Sequence, residues 1–245
     1  MKSSVLGVIP ARLASTRLPR KVLRVIAGRP MLAWVVEAAQ ACDQLDRVIV
    51  ATDSEEVVEL CNANGWPVQL TSPDLPSGSD RVHAVAQIHP ADIYVNIQGD
   101  EPLLRLEHLT ALLRPFAHPH VDVTTLKALC TPANIPNPNA VKVVTAADGR
   151  ALYFSRATSP YDRDATGQAN YWKHIGLYAY RQVALRRFPT LPHRTLEITE
   201  RLEQLRFLEN GLNVYVEPTE YDTIGVDTEE DLRQVESILL ARQGS

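Results

Sequence analysis

Between residues 12 and 29 the chain carries six basic side chains, Arg12, Arg17, Arg20, Lys21, Arg24 and Arg29, and no acidic one, although the whole protein has a net charge of −4. Positive charge is concentrated in one loop. An arginine grips phosphate oxygens with a planar fork, a lysine supplies a compact charge, and Ser15 and Thr16 add hydroxyl donors. The chemistry such a loop offers is the holding of a polyphosphate, against the plainer alternative of a solvated basic loop. Neither the dinucleotide pattern GxGxxG nor the P-loop pattern GxxxxGK[ST] occurs, so the phosphate must be held another way.

Other residues could complete a site. Asp100 follows a strongly apolar run and should emerge at a sheet edge. Asp227, in GVDTEED, precedes a helix, where it is either a helix cap or a ligand. Two carboxylates opposite a cationic loop suit Mg²⁺ bridging phosphate oxygens to protein. Asp53, in VATDSEE, reads as a helix cap. The segment SGSDR, with Ser77, Gly78 and Arg81, either reads a nucleobase or closes a turn. Gln98 and Gly99 either let the chain approach a ligand or form a tight turn that needs glycine. Arg156 and Arg163 flank a proline-containing loop suited to a second anion such as a carboxylate, or are solvated. His174 and Tyr178 share a strand face and read by default as core. Glu203 and Gln204 lie on a helix whose leucines pack, and on the residues alone they are either merely exposed or free to serve a site.

These residues need elements to hold them. With 245 residues, 45% hydrophobic and 22% charged, the chain can bury a full core. The near balance of 25 Lys and Arg against 29 Asp and Glu argues against a nucleic-acid or membrane-surface binder. Apolar runs at 5–9, 47–51, 67–71 and 92–97 alternate with helical patterns at 30–41, 54–62 and 80–88. That order implies a largely parallel sheet with helices on both faces, an α/β fold. After a helix at 106–116, residues 121–181 read mostly as strands, with a hairpin turn at 147–150. Helices follow at 195–209 and 228–241, with a strand at 212–217 between them. The apolar run before Pro10 is too short for a signal peptide or a membrane span, so a cytoplasmic protein is expected. Cys42, Cys61 and Cys130 are scattered and odd in number, which favours buried thiols over disulfides or a zinc site.

Taken together and in order, IPARLASTRLPRK, VATD, SGSDR, VNIQGDEP, NPNAVKVV, ALYFSRA, KHIGLYAYR, LEQLRFLENG and GVDTEEDL resemble the 3-deoxy-manno-octulosonate cytidylyltransferase (CMP-Kdo synthetase) family over nearly the whole chain. The resemblance implies a Rossmann-like nucleotide-diphospho-sugar transferase fold, with 1–245 as one cytidylyltransferase domain. Residues 121–181 would be an antiparallel insertion used for sugar binding and dimer formation. It also implies a cytoplasmic homodimer that uses Mg²⁺ and converts CTP and Kdo to CMP-Kdo and pyrophosphate for lipopolysaccharide biosynthesis.

Carried onto this chain, the family pattern places the triphosphate on Arg12, Ser15, Arg17 and Lys21, and the cytosine near Ser77, Gly78 and Arg81. Mg²⁺ falls to Asp100 and Asp227, and Arg17, Lys21 and both aspartates take the catalytic role. Gln98, Arg156, Arg163, His174, Tyr178, Glu203 and Gln204 fall in the sugar-acid pocket. Cytidylyltransferases for sialic acid usually start differently, an 8-amino form of Kdo would change only a few contacts, and a non-catalytic nucleotide binder would not need Lys21, Asp100 and Asp227. Arg20 and Val22 depart from the usual RLPGKPL, and Ser79 stands for a threonine. If position 20 needs a positive φ, arginine there is strained by roughly 1 kcal/mol; otherwise it points outward or adds a phosphate contact.

Overall fold

The structure, a computed structural model, describes residues 3–13 and 17–243. It divides into two compact units, one made of residues 1–110 and 223–245 and the other of residues 111–222.

The first unit opens with β1 (Val5–Pro10), whose residues are almost all buried. A strand covered on both faces has no use for alternation, which is why VLGVIP reads as one apolar run. The short strands β2 (Val25–Ile26) and β3 (Arg29–Pro30) form a small hairpin. Then come α1 (Met31–Gln40), β4 (Arg47–Thr52), α2 (Glu55–Ala63), β5 (Val68–Leu70), α3 (Gly78–Ile88), β6 (Ile93–Asn96) and α4 (Leu106–Leu113), which carries the chain out of the unit. Strand order is β6-β1-β4-β5, all parallel. β4 and β5 extend to one side of β1 and β6 lies on the other, so the direction of winding reverses at β1. In open α/β sheets that reversal opens a crevice at the carboxyl ends of the strands.

The second unit is built on β7 (Val123–Leu129). The hairpin of β8 (Lys142–Thr145) and β9 (Ala151–Ser155) turns at Gly149, whose φ is +87°, while Asp148 Oδ1 accepts from the Arg150 amide at 3.0 Å. β10 (Trp172–Arg181) runs antiparallel to β7, with a bulge between Ile175 and Tyr178. Next come α5 (Gln182–Arg187), α6 (Thr195–Glu200), α7 (Gln204–Glu209) and β11 (Val214–Pro218), which pairs parallel with β7. The chain then returns to the first unit through α8 (Glu229–Gln243).

Three expectations need correction. The helix expected at 195–209 is broken in two at Arg201, which adopts a left-handed conformation (φ +53°). The break lets Glu200 turn in to accept from Ser155 Oγ at 2.7 Å and the Arg156 amide at 2.9 Å. α3 begins at Gly78 because Ser77 caps it, accepting from the Asp80 amide at 3.2 Å. α5 was not anticipated. The cysteines are free, as expected; Cys42 and Cys61 are buried, Cys130 is half-buried, and burial pushes the Cys61 thiol up to about 11. No helix among the described residues is long and apolar enough to cross a membrane.

Candidate active site

A cavity of about 650 Å³ opens in the first unit at the carboxyl ends of its strands. That is an ordinary size for a site that takes a small molecule. Its walls come from the loop after β1, the turn after β6, the start of α3 and the approach to α8.

The loop after β1 is fixed at both ends. At its start, the Ala11 amide donates to Ala51 O at 2.8 Å and Thr52 Oγ1 donates to Ala11 O at 2.6 Å. At its end, Leu18 is buried among Ile26, Met31, Leu103, Val226, Leu232 and Val235. Between these anchors Arg12 and Arg17 are exposed and line the cavity with Lys21. Ser15 and Thr16 lie outside the described residues. The other three cations are diverted: Arg20 pairs with Glu56, Arg24 with Glu229 at 2.7 Å and Arg29 with Glu37. Half of the basic cluster of the sequence therefore lines the cavity, and the other half is paired with acidic side chains.

Arg20 adopts φ +58°, the left-handed conformation that favours glycine. The positive φ that would strain an arginine is present, and the outward side chain, expected only as the alternative, occurs with it: Arg20 reaches Glu56.

The turn after β6 brings Asp100 to the cavity. Glycine at position 99 has a steric cause, since a Cβ there would sit 2.8 Å from Pro10 O. It lets the turn pass against the end of β1 whether or not a ligand is present. The Val226 amide donates to Asp100 O at 2.9 Å, tying this turn to the segment before α8. Asp227 is not the cap of that helix. Thr228 Oγ1 accepts from the Asp231 amide at 3.1 Å, and Asp231 Oδ2 accepts in return from the Thr228 amide at 2.8 Å, a reciprocal cap that leaves the Asp227 carboxylate available. The TEED segment carried that signal.

Asp100 and Asp227 converge on one cation. Lys21 Nζ donates to Asp100 Oδ2 and, at 2.9 Å, to Asp227 Oδ1, while Arg17 donates to Asp227 Oδ2 at 2.8 Å. Burial acts to lower the Lys21 pKa, but the charges and hydrogen bonds of the two aspartates outweigh it and hold the ammonium above its usual 10.5.

On the opposite wall, Ser77 and Gly78 open α3, and Gln98 sits beside Gly78, donating to Asn96 Oδ1 at 3.0 Å. Arg81 reaches the cavity from beneath. Its side chain is 2% exposed and donates to Thr71 Oγ1 and, at 3.0 Å, to Asp53 Oδ2. Asp53 is therefore not a helix cap; Ser54 caps α2, accepting from the Val57 amide at 3.5 Å. Adjacent acidic and hydroxyl residues before a helix are interchangeable as caps from sequence alone, and only the position of Arg81 separates them.

The remaining candidates belong to the second unit. The Arg156 guanidinium is spent on backbone carbonyls, donating to Glu200 O at 2.8 Å and Pro138 O at 3.1 Å. Arg163 is exposed, 3.9 Å from Asp164. The rings of His174 and Tyr178 pack 5.5 Å apart. Glu203 precedes α7 and is half-buried, and Gln204 is only 4% exposed, so the simple surface reading of Gln204 does not hold.

Against known proteins, the family described as cytidylyltransferase matches residues 6–219. The 3-deoxy-manno-octulosonate cytidylyltransferase of Acidobacterium capsulatum is 65% identical over 240 residues, 98% of each chain. The chain belongs to the 3-deoxy-manno-octulosonate cytidylyltransferase family. A second member, from Koribacter versatilis, is 59% identical over 97% of this chain and 90% of its own. The solved structure of CMP:2-keto-3-deoxy-manno-octonic acid synthetase complexed with CTP superposes with a TM-score of 0.94 at 39% identity, covering 98% of this chain and all of that one. The cytidylyltransferase match spans residues of both units, and the fold is the Rossmann-like nucleotidyltransferase fold expected from the sequence.

Proposed function

We propose that the protein transfers CMP from CTP to 3-deoxy-D-manno-octulosonate, releasing pyrophosphate and forming CMP-Kdo for lipopolysaccharide biosynthesis. The observation that carries this reading is the convergence of Lys21, Arg17, Asp100 and Asp227 at one wall of a cavity, in a chain of this family. Arg12, Ser15, Arg17 and Lys21 hold the triphosphate, and the start of α3 with Arg81 receives the cytosine. Gln98, Arg156, Arg163, His174, Tyr178, Glu203 and Gln204 take the sugar acid. Because the Arg156 donors are largely engaged by backbone, the exposed Arg163 is the better partner for its carboxylate.

The anomeric hydroxyl of Kdo attacks the α-phosphorus in line. One P–O bond forms, the bond to the β-phosphate oxygen breaks, and the hydroxyl proton leaves to solvent. Lys21 and Arg17 bear the charge that grows on the leaving pyrophosphate, and the fixed turn at Gly99 keeps the Asp100 carboxylate in place. The donor set fits a hard divalent cation, because two carboxylates already gather around the ammonium of Lys21. Among the described residues no three His, Cys, Asp or Glu side chains form a complete metal cage, so phosphate oxygens and water would supply the other ligands. Mg²⁺ held by Asp100 and Asp227 would neutralise phosphate charge and polarise the α-phosphoryl group.

The two units act as a single cytidylyltransferase domain in a cytoplasmic homodimer, with residues 121–181 serving sugar binding and dimer formation. Pyrophosphate release from CTP tests the activity. It should require both Kdo and Mg²⁺; release without Kdo, or none with it, would overturn the assignment.

A further inference from the structure

In the second unit, three groups crowd one hydroxyl. Thr125 Oγ1 lies 2.9 Å from His174 Nε2, 3.0 Å from Ile175 O and 2.8 Å from Leu177 O, reaching into the bulge of β10. A hydroxyl has one hydrogen and two lone pairs, whereas a carbonyl oxygen only accepts. The hydrogen must therefore go to a carbonyl, and the imidazole must donate its Nε2–H to the hydroxyl oxygen. The reverse arrangement would set two carbonyl oxygens against a hydroxyl with no hydrogen to share, at a buried site where such groups are costly to leave unpaired. Phe154, edge-on at 5.0 Å, and Tyr178 limit rotation of the ring. Burial, aided by the charge on Lys173, brings the His174 pKa down to about 3, so the ring is neutral at physiological pH.

We propose that Thr125 is a positioning residue that locks His174 in its Nε2–H tautomer, so that Nδ1 presents a lone pair that accepts from a hydroxyl of a polyhydroxy acid and repels a carboxylate. The proposal rests on the reading that His174 lines the sugar-acid pocket. Nδ1 has no hydrogen-bond partner among the described residues, and the residue keeps 9% of its surface exposed. A protonated histidine at this position would attract the acid group of the sugar; the neutral acceptor leaves that group to an arginine and reads a hydroxyl instead.

Long-range ¹H–¹⁵N spectra of the full-length, histidine-labelled protein test the lock directly. The chain has seven histidines, and His174→Gln identifies the signals of interest. The wild type should show a neutral ring protonated at Nε2, with the Nδ1 signal shifting when Kdo is added. Thr125→Val should release the fixed tautomer and raise the KM for Kdo roughly tenfold, as for one lost hydrogen bond, with the KM for CTP unchanged. Thr125→Ser should restore both. A wild-type ring protonated at Nδ1, or doubly protonated, overturns the lock whatever the variants do, as does an unchanged tautomer in a folded Thr125→Val protein. If the lock is present but neither Thr125→Val nor His174→Gln alters the KM for Kdo, the pocket reading falls, and the acceptor role with it.

Discussion

Lys21 is the residue on which the site is balanced, because two carboxylates share its ammonium and one of them is shared in turn with Arg17. Replacing Asp100 or Asp227 with asparagine keeps the shape and removes one charge. Either change should lower kcat by roughly a hundredfold, the effect of losing one strong electrostatic contact, and should raise the Mg²⁺ concentration needed for half-maximal rate. A folded Asp227→Asn enzyme with full activity at ordinary Mg²⁺ would remove that residue from the machinery. Asp53 leads to a different expectation from the one its sequence context suggests. With Arg81 only 2% exposed, Asp53→Asn leaves a buried guanidinium without its counter-charge. The change should destabilise the protein by about 3 kcal/mol and raise the KM for CTP. Urea unfolding and CTP titration check both, and a variant as stable as the wild type would return Asp53 to a surface role.

Among the elements, the turn at 98–100 sets the tightest tolerance. A methyl group at position 99 would meet the backbone oxygen of Pro10 at 2.8 Å, with no flexible side chain to give way. Gly99→Ala should cost about 1–3 kcal/mol of stability. Because the displaced atoms carry Asp100, kcat should fall as well, whereas a nearly normal enzyme would mean that β1 shifts freely. Elements of this kind were legible to different degrees. Strands β1, β4 and β6 announced themselves as apolar runs because both faces are covered, and the turn at Asp148-Gly149 carried its own chemistry. The break at Arg201 did not, since a left-handed arginine has no compositional sign and the surrounding apolar spacing continues through it. Asp100 and Asp227 could be found as strand and helix neighbours, and TEED already contained the cap that frees Asp227. The Asp53–Arg81 pair could not be found, because it joins elements far apart in sequence.

For the molecule as a whole, His174 ties stability to pH in a window of its own. Its usual pKa is 6.5 and its folded value about 3, so between those limits the unfolded chain binds a proton that the folded protein refuses. Stability is therefore complete above pH 6.5 and declines as the pH falls, by about 1.4 kcal/mol per unit. Asp92 and Glu200, both held below their usual pKa, lose their contributions only at lower pH. His89, lowered by burial and by Arg47, adds to the same limb as His174. Between pH 6.5 and 5 the wild type should lose about 2 kcal/mol in urea unfolding, and His174→Gln should lose much less. A flat wild-type profile over that range would mean that the ring is reached by solvent.

The first unit is discontinuous in sequence, and this fixes when the site is made. Val226, Leu232, Val235 and Leu239, which pack on Leu18, Ile26, Met31 and Leu103, leave the ribosome only after every residue of the second unit. Asp227 travels with them. A nascent chain can therefore form β1 and display its cationic loop long before the second carboxylate exists, and it completes the acidic pair only after the whole second unit has been made.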